Sequence, residues 1–271
     1  MNCRTISVLL VVALAVLALA GTGCQKLKAR DELNKGVQAF RGGSYPTAVE
    51  HFKTAVSLDP TFLTSREYLA MAYFMQFVPG AESPENNRLA QAAHDEFMKV
   101  LEVDPKNAVA MATLAQLYFS QKKLDEAQEW YQKLTSIDPN NKTAYYTLGV
   151  IAWTKTFQPR MEKRAELGMK PDDPGPIKDK KAREELRAKN LPIIDQGLQD
   201  LQKALSIDSR YDDAMAYVNL LYRERADLAD SPEAYKKDVL EADSWVDKTL
   251  ATKKSNQEKA SAAGKKQQQS E

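Results

Sequence analysis

Few side chains in this sequence could carry covalent or acid–base chemistry. There are two cysteines, Cys3 and Cys24, and two histidines, His51 and His94. Cys24 is the one nucleophile in a telling context, because it follows the small residues Gly21-Thr22-Gly23 at the end of the apolar stretch Ile6 to Ala20. A thiol there can accept an acyl group, and left free in an oxidising compartment it would be unpaired. The histidines stand alone on predicted helices, without the second group that would orient an imidazole as a base. No zinc-ligand pair at helical spacing, phosphate-cradling loop or serine elbow occurs. The expectation is no enzyme activity, no metal, no cofactor and no small-molecule substrate. The formal charge of +1 falls to zero once the first 23 residues, whose only charged side chain is Arg4, are set aside. That leaves no basic face for nucleic acid.

The elements that would place Cys24 come next. Met1 to Arg4 is short and positive, the apolar run ISVLLVVALAVLALA follows, and small residues close it. This is the layout of a secretory signal peptide over residues 1–23. The run is shorter than the roughly 20 residues a spanning helix needs, so a permanent membrane helix is disfavoured, as is simple secretion. A cysteine directly after such a run resembles the processing box of bacterial lipoproteins, with one departure: Gly21 stands three residues before the cysteine, where that box usually has Leu. The resemblance implies acylation of Cys24, a tether over 24–28 and a membrane-anchored protein facing the periplasm. Gln25 after Cys24, rather than Asp, slightly favours the outer membrane.

Only 11 glycines and 12 prolines, with long runs rich in Ala, Leu, Lys, Glu and Gln, argue for helices throughout. From Ala108 to Asn141 a unit appears unbroken. Met111, Leu114, Ala115 and Tyr118 mark one helix face; Ala127, Tyr131 and Leu134 mark a second; Asp138-Pro139 ends the pair. The same ending recurs at Asp59-Pro60 and Asp104-Pro105, and in weakened form at Asp208-Ser209. These residues resemble the tetratricopeptide repeat, a helix pair of 34 residues with small side chains where helices touch. Further copies match at Gly36, Ala48, Phe52 and Ala55, at Leu69, Ala70, Tyr73, Ala93 and Phe97, and at Tyr145, Leu148, Gly149, Leu201 and Ala204. A degenerate fifth begins near Asp212. The resemblance implies an all-α, right-handed α-solenoid of about five helix pairs over 29–251, closed by a capping helix from Pro232.

The spacings locate insertions. Pro105 to Pro139 is 34 residues, Pro60 to Pro105 is 45 and Pro139 to Ser209 is 70. The surplus falls at about 78–88 and 154–190. The longer insertion holds the breaker cluster Pro171 to Pro176 and then a charged helical stretch, readable as a solvated arm or as a lid contacting a partner. Thr252 to Glu271 has little to bury and should be disordered.

Members of this repeat family bind extended peptides or helices in a groove lined by the first helix of each pair. Carried over, the groove-facing residues are Phe40, Phe74, Phe119 and Trp153, with Val37, Met71, Gln116 and Val150 one turn earlier; Arg223 interrupts the row in the fifth copy. The asparagines and lysines of the carboxylate-clamp members are missing from these places. An aromatic row suits a hydrophobic segment or amphipathic helix, although the same rings could simply be core. The reading is an envelope-anchored scaffold that binds a protein partner, with a self-associating structural module as the alternative.

Overall fold

The computed structural model describes residues 23–268, and over them the chain is all-helical. Ten helices follow one another among the described residues: α1 (23–41), α2 (Tyr45–Leu58), α3 (Leu63–Phe74), α4 (Pro84–Val103), α5 (Ala108–Ser120), α6 (Leu124–Ile137), α7 (Lys142–Glu166), α8 (Lys180–Ile207), α9 (Asp212–Asp227) and α10 (Pro232–Gln268). The chain divides after Lys123 into two compact units. The division falls inside the copy that is cleanest in sequence, between its two helices.

In the first unit α2 packs on α3, α3 on α4 and α4 on α5, with α5 also touching α3. In the second, α6 packs on α7, α7 on α8, α8 on α9 and α9 on α10, and α7 also meets α9. Consecutive antiparallel pairs with first helices side by side are what the repeat spacing requires. The contacts depend on small residues. A Cβ on Gly36 would lie 2.4 Å from the Phe52 ring, and one on Gly149 would lie 2.4 Å from Leu201 Cγ, so only glycine lets these helices approach. Around those crossings form two cores, one including Phe52, Leu69, Tyr73 and Leu117, the other Ile194, Leu201, Val218 and Leu221.

The recurrent aspartate has a physical role. After α2, α4, α6 and α8 the Asp carboxylate accepts the backbone N–H two residues on: Thr61 from Asp59 (3.2 Å), Lys106 from Asp104 (3.2 Å), Asn140 from Asp138 (3.3 Å) and Arg210 from Asp208 (3.0 Å). In each turn the aspartate carbonyl also accepts the N–H three residues on, at 3.1 to 3.2 Å. This Asx geometry needs the aspartate and not the proline, which is why Asp208-Ser209 makes the same turn. The residue reached three positions on then starts the next helix. Asn107 and Asn141 cap it with their side chains, accepting Ala110 N–H at 2.9 Å and Ala144 N–H at 3.0 Å. Phe62 and Tyr211 hold the same place without a side-chain cap, contributing a ring instead.

Three boundaries differ from the sequence expectation. The expected tether at 24–28 is helical, part of α1, because Lys28, Ala29, Arg30 and Glu32 are good helix formers; of the expected signal segment 1–23, residues 1–22 lie outside the described residues. The expected disorder from Thr252 is replaced by continuation of α10 to Gln268. Its Ala, Lys, Gln and Glu content supports the helix, and Asn256 ties it down, donating to Arg210 O and Asp212 Oδ1 at 3.2 Å each while accepting from the Arg210 guanidinium. α10 is therefore both the capping helix and the second helix of the fifth pair.

The long insertion is the third difference. Most of 154–190 lengthens α7 and α8 through interior prolines, Pro159 and Pro192, leaving 167–179 as the only irregular part. It is neither a solvated arm nor a free lid, since Ile177 is fully buried and joins Leu186 in the core of the second unit. Arg164, 2% exposed, grips the connector by donating to Lys170 O (2.8 Å) and Asp173 O (2.6 Å). The same guanidinium donates to both Asp227 oxygens at 2.9 and 3.0 Å. Arg160 donates to both oxygens of Glu224 (2.7 and 2.9 Å) and also to Asp227. Backbone bonds complete the attachment, from Ile177 N–H to Asp227 O at 3.0 Å and from Gly175 N–H to the Tyr235 hydroxyl at 3.2 Å. The shorter insertion folds likewise on one buried side chain: Asn86 accepts Val78 N–H (2.8 Å) and donates to Val78 O and Ala81 O at 2.9 and 2.8 Å.

Candidate functional site

Each expected site residue has a definite place. Cys24 is exposed and free on α1. In the first unit Phe40 is half-buried, edge-on to Tyr45 at 5.3 Å and to Tyr68 at 6.1 Å, and packs with Val37 and Phe74 against the core. Met71 and Phe119 are half-buried and Gln116 is exposed. Neither Phe74 nor Phe119 makes a ring–ring contact among the described residues. In this unit Phe40 joins a ring chain that runs through Tyr68 to the buried Phe52, while Phe74 and Phe119 stand apart from it.

The second unit differs. Trp153 lies 4.8 Å from Phe157 and 5.7 Å, nearly perpendicular, from Tyr217. Tyr217 in turn meets Tyr146 edge-on at 5.6 Å, and Tyr146 meets Tyr211 at 5.0 Å. Five half-buried rings therefore form one continuous patch on the adjoining faces of α7 and α9. Contacts of this geometry are each worth about 0.5–1.5 kcal/mol beyond area burial, so the patch is preformed and rigid. Val150, expected to line the groove, is a correction: at 7% exposure it is buried, because α7 is flanked by α6, α8 and α9.

Tyr146, Tyr211 and Tyr217 were not singled out in the sequence. A usable signal existed for the first, which stands seven residues before Trp153 and so on the same stripe of α7. Tyr211 was signalled more weakly, by occupying the position at which two other copies place a capping Asn.

Charge frames the patch unevenly. Lys142 is bound to Asp208 at 2.5 Å and lies over the Tyr211 ring at 5.2 Å. Asp213, one turn before Tyr217 on α9, is exposed and has no ion-pair partner among the described residues. Burial, reinforced by neighbouring charge from Asp213, pushes the hydroxyls of Tyr146, Tyr211 and Tyr217 above the usual tyrosine range. At the far end of the same faces, Arg160 stacks over Phe157 at 5.6 Å but spends its donors on Glu224 and Asp227. The open end of the patch is acidic and aromatic.

The histidines serve structure. His51 is 2.7 Å from Glu32, pinning α2 to α1, and His94 lies against Asp95 (3.0 Å) and the Tyr118 ring (5.9 Å). Among the described residues no group of three or more His, Cys, Asp or Glu could hold a metal ion, and no helix is long and apolar enough to cross a membrane.

Comparison with known proteins agrees with this geometry. The family model described as tetratricopeptide repeat matches residues 87–149, the stretch containing the unbroken copy. Similar solved structures include the MamA protein, 15% identical with a TM-score of 0.57, covering 85% of this chain and 94% of that one. Another is residues 41 to the end of MamA from Desulfovibrio magneticus RS-1, 17% identical with a TM-score of 0.56, covering 84% of this chain and 96% of that one. The tetratricopeptide-repeat protein YrrB, described as having an unusual peptide-binding site, is 12% identical with a TM-score of 0.51 over 83% of this chain and 90% of its own. No curated protein matches in sequence. Residues 87–149 thus match the tetratricopeptide repeat, and the repeated helix pairs, with their glycine crossings and Asx turns, share the fold of solved tetratricopeptide-repeat structures.

Proposed function

We propose that the protein is an envelope scaffold that binds a segment of another protein on the aromatic patch of α7 and α9. The observation that carries this reading is the continuous surface of Tyr146, Trp153, Phe157, Tyr211 and Tyr217, five rings in mutual contact yet only half-buried. Rigid aromatic area of this kind anchors protein interfaces at low entropic cost. It lies on first helices, where repeats of this family carry their ligand groove, and YrrB shares the fold while bearing a peptide-binding site of its own. The bound segment presents apolar side chains to the rings, and basic ones towards Asp213. In the first unit, taken by itself, Phe40, Met71, Phe74, Gln116 and Phe119 form a separate candidate surface for an apolar segment.

Export and anchoring belong to the same proposal. The apolar leader and its small-residue ending support acylation of Cys24, which is exposed. A protein so held acts beside a membrane, in assembling an envelope machine. Photo-crosslinking in cells from Phe157 and Tyr217 tests the binding reading, with Lys253 as an exposed control. A discrete adduct from the patch positions, lost with Trp153→Ala in a folded protein, is expected; adducts of equal yield from Lys253 would end it. For the anchor, Cys24→Ser should abolish incorporation of labelled palmitate and release the protein from the membrane fraction.

A further inference from the structure

The second unit carries another concavity, on a different side of α7. It is a cleft of about 190 Å3 between α6 and α8, floored by Leu148 and Ala152 of α7. On α7, Leu148 lies about 200° around the helix from Tyr146 and Ala152 about 100° from Trp153, so the cleft and the aromatic patch do not share a face. α6 and α8 each pack on α7 but form no packed pair with one another. The cause is in α8 itself: Gly197 sits so close to α7 that a Cβ there would meet the Ala152 Cβ at 2.4 Å. α8 is drawn down onto α7 and away from α6, and the seam stays open.

The cleft walls are apolar, with Pro192, Ile193 and Gly197, except at one end. There stands Asp200, half-buried, whose only bond among the described residues comes from the Gln196 amide at 3.3 Å. It is the one ionisable side chain lining the cleft. The cations nearest to hand are engaged elsewhere. Lys203, three residues on, lies over the Tyr145 ring at 6.0 Å, and Lys155 is bound to Asp125 and to Gln128 Oε1 at 2.5 and 2.6 Å. An apolar slot ending in an unpaired carboxylate and two glutamine amides, Gln128 and Gln196, is complementary to an alkyl chain ending in ammonium. The space equals about six water volumes, enough for the four-carbon stem and nitrogen of a lysine. Guanidinium fits less well, since its planar fork calls for two free carboxylate oxygens and one is already bonded to Gln196.

We propose that the cleft between α6 and α8 is a lysine-binding slot, taking the side chain of a lysine on a partner protein, with its stem against Leu148, Ala152 and Ile193 and its ammonium on Asp200. Burial that holds the Asp200 carboxyl up at about 6 is what a carboxylate waiting for its counter-charge should show. The slot does not depend on the aromatic patch, and either could exist without the other.

The test uses the full chain and a short peptide, acetyl-Ala-Ala-Lys-Ala-Ala-amide, followed by amide and side-chain NMR at pH 7.5. Saturable shifts at Gly197 and at the Gln128 and Gln196 side-chain amides are expected. They should weaken at least about tenfold in Asp200→Asn, the loss typical of a hydrogen bond to a charged group, and also when the peptide lysine is acetylated. Asp200→Asn removes a poorly solvated charge and should fold; circular dichroism confirms that. Absence of saturable shifts, or equal shifts with Asp200→Asn, overturns the proposal. Spermidine binding more than about tenfold tighter than the peptide would replace a partner's lysine with a free polyamine, and so refute the assignment.

Discussion

Ile177→Ala tests whether the long insertion is built into the fold. Ile177 belongs to an irregular connector, yet is 0% exposed and packs with the core of the second unit. Removing three carbons forfeits about 2.4 kcal/mol of transfer free energy at about 0.8 kcal/mol each, and partial collapse of the cavity places the total within about 2–5 kcal/mol. The neighbours leave little room to relax, because Ile177 N–H is fixed to Asp227 O and its carbonyl accepts Arg183 at 2.5 Å. A loss of about 3 kcal/mol lowers the transition midpoint by about 6–12 °C for a unit of this size. Thermal and urea unfolding followed by circular dichroism at 222 nm measures it, with the two units free to unfold in separate transitions. A midpoint within about 2 °C of the parent would mean that the connector is a solvent-exposed arm, and the packing argument would fail.

Arg164→Met should cost about 3–5 kcal/mol, because it strips Asp227 of a buried partner and leaves the connector carbonyls unbound; adding Asp227→Asn should recover part of the loss in urea titrations. Gly149→Ala should destabilise by about 1–3 kcal/mol through overlap with Leu201, whereas alanine at exposed Gly42 should be close to neutral. The three patch tyrosines, raised by burial and then by Asp213, favour the neutral phenol in the folded state. Their contribution to stability is intact below the unfolded tyrosine pKa of about 10 and is lost as pH rises beyond it. Absorbance at 295 nm should therefore show a group of tyrosines titrating late and together with unfolding, and a single normal titration would contradict their burial.

Much of this architecture was legible because it is local. The Asp endings and glycine crossings depend on side chains within a few residues, or on spacing that the repeat fixes, so composition and arithmetic could find them. What escaped depends on distance. Arg160 and Arg164 look like solvated charges until Glu224 and Asp227, more than sixty residues later, are placed beside them. The surplus of the long insertion could be counted, but not its burial. The aromatic row was legible only in part: Trp153 was found, whereas its neighbours Tyr211 and Tyr217 come from α9, whose copy is degenerate. Val150 shows the converse, an apolar residue at a groove position that the flanking helices cover. Beyond Thr252, low hydrophobicity suggested disorder, while helix propensity and the Asn256–Arg210 contact carry α10 onward.

The binding account is tested most directly by hydrogen exchange on the full chain, alone and with the partner recovered by crosslinking. Slowed exchange concentrated in residues 145–157 of α7 and 211–218 of α9, and absent with Trp153→Ala, is the predicted result. Protection elsewhere, with these two segments unchanged, would contradict it.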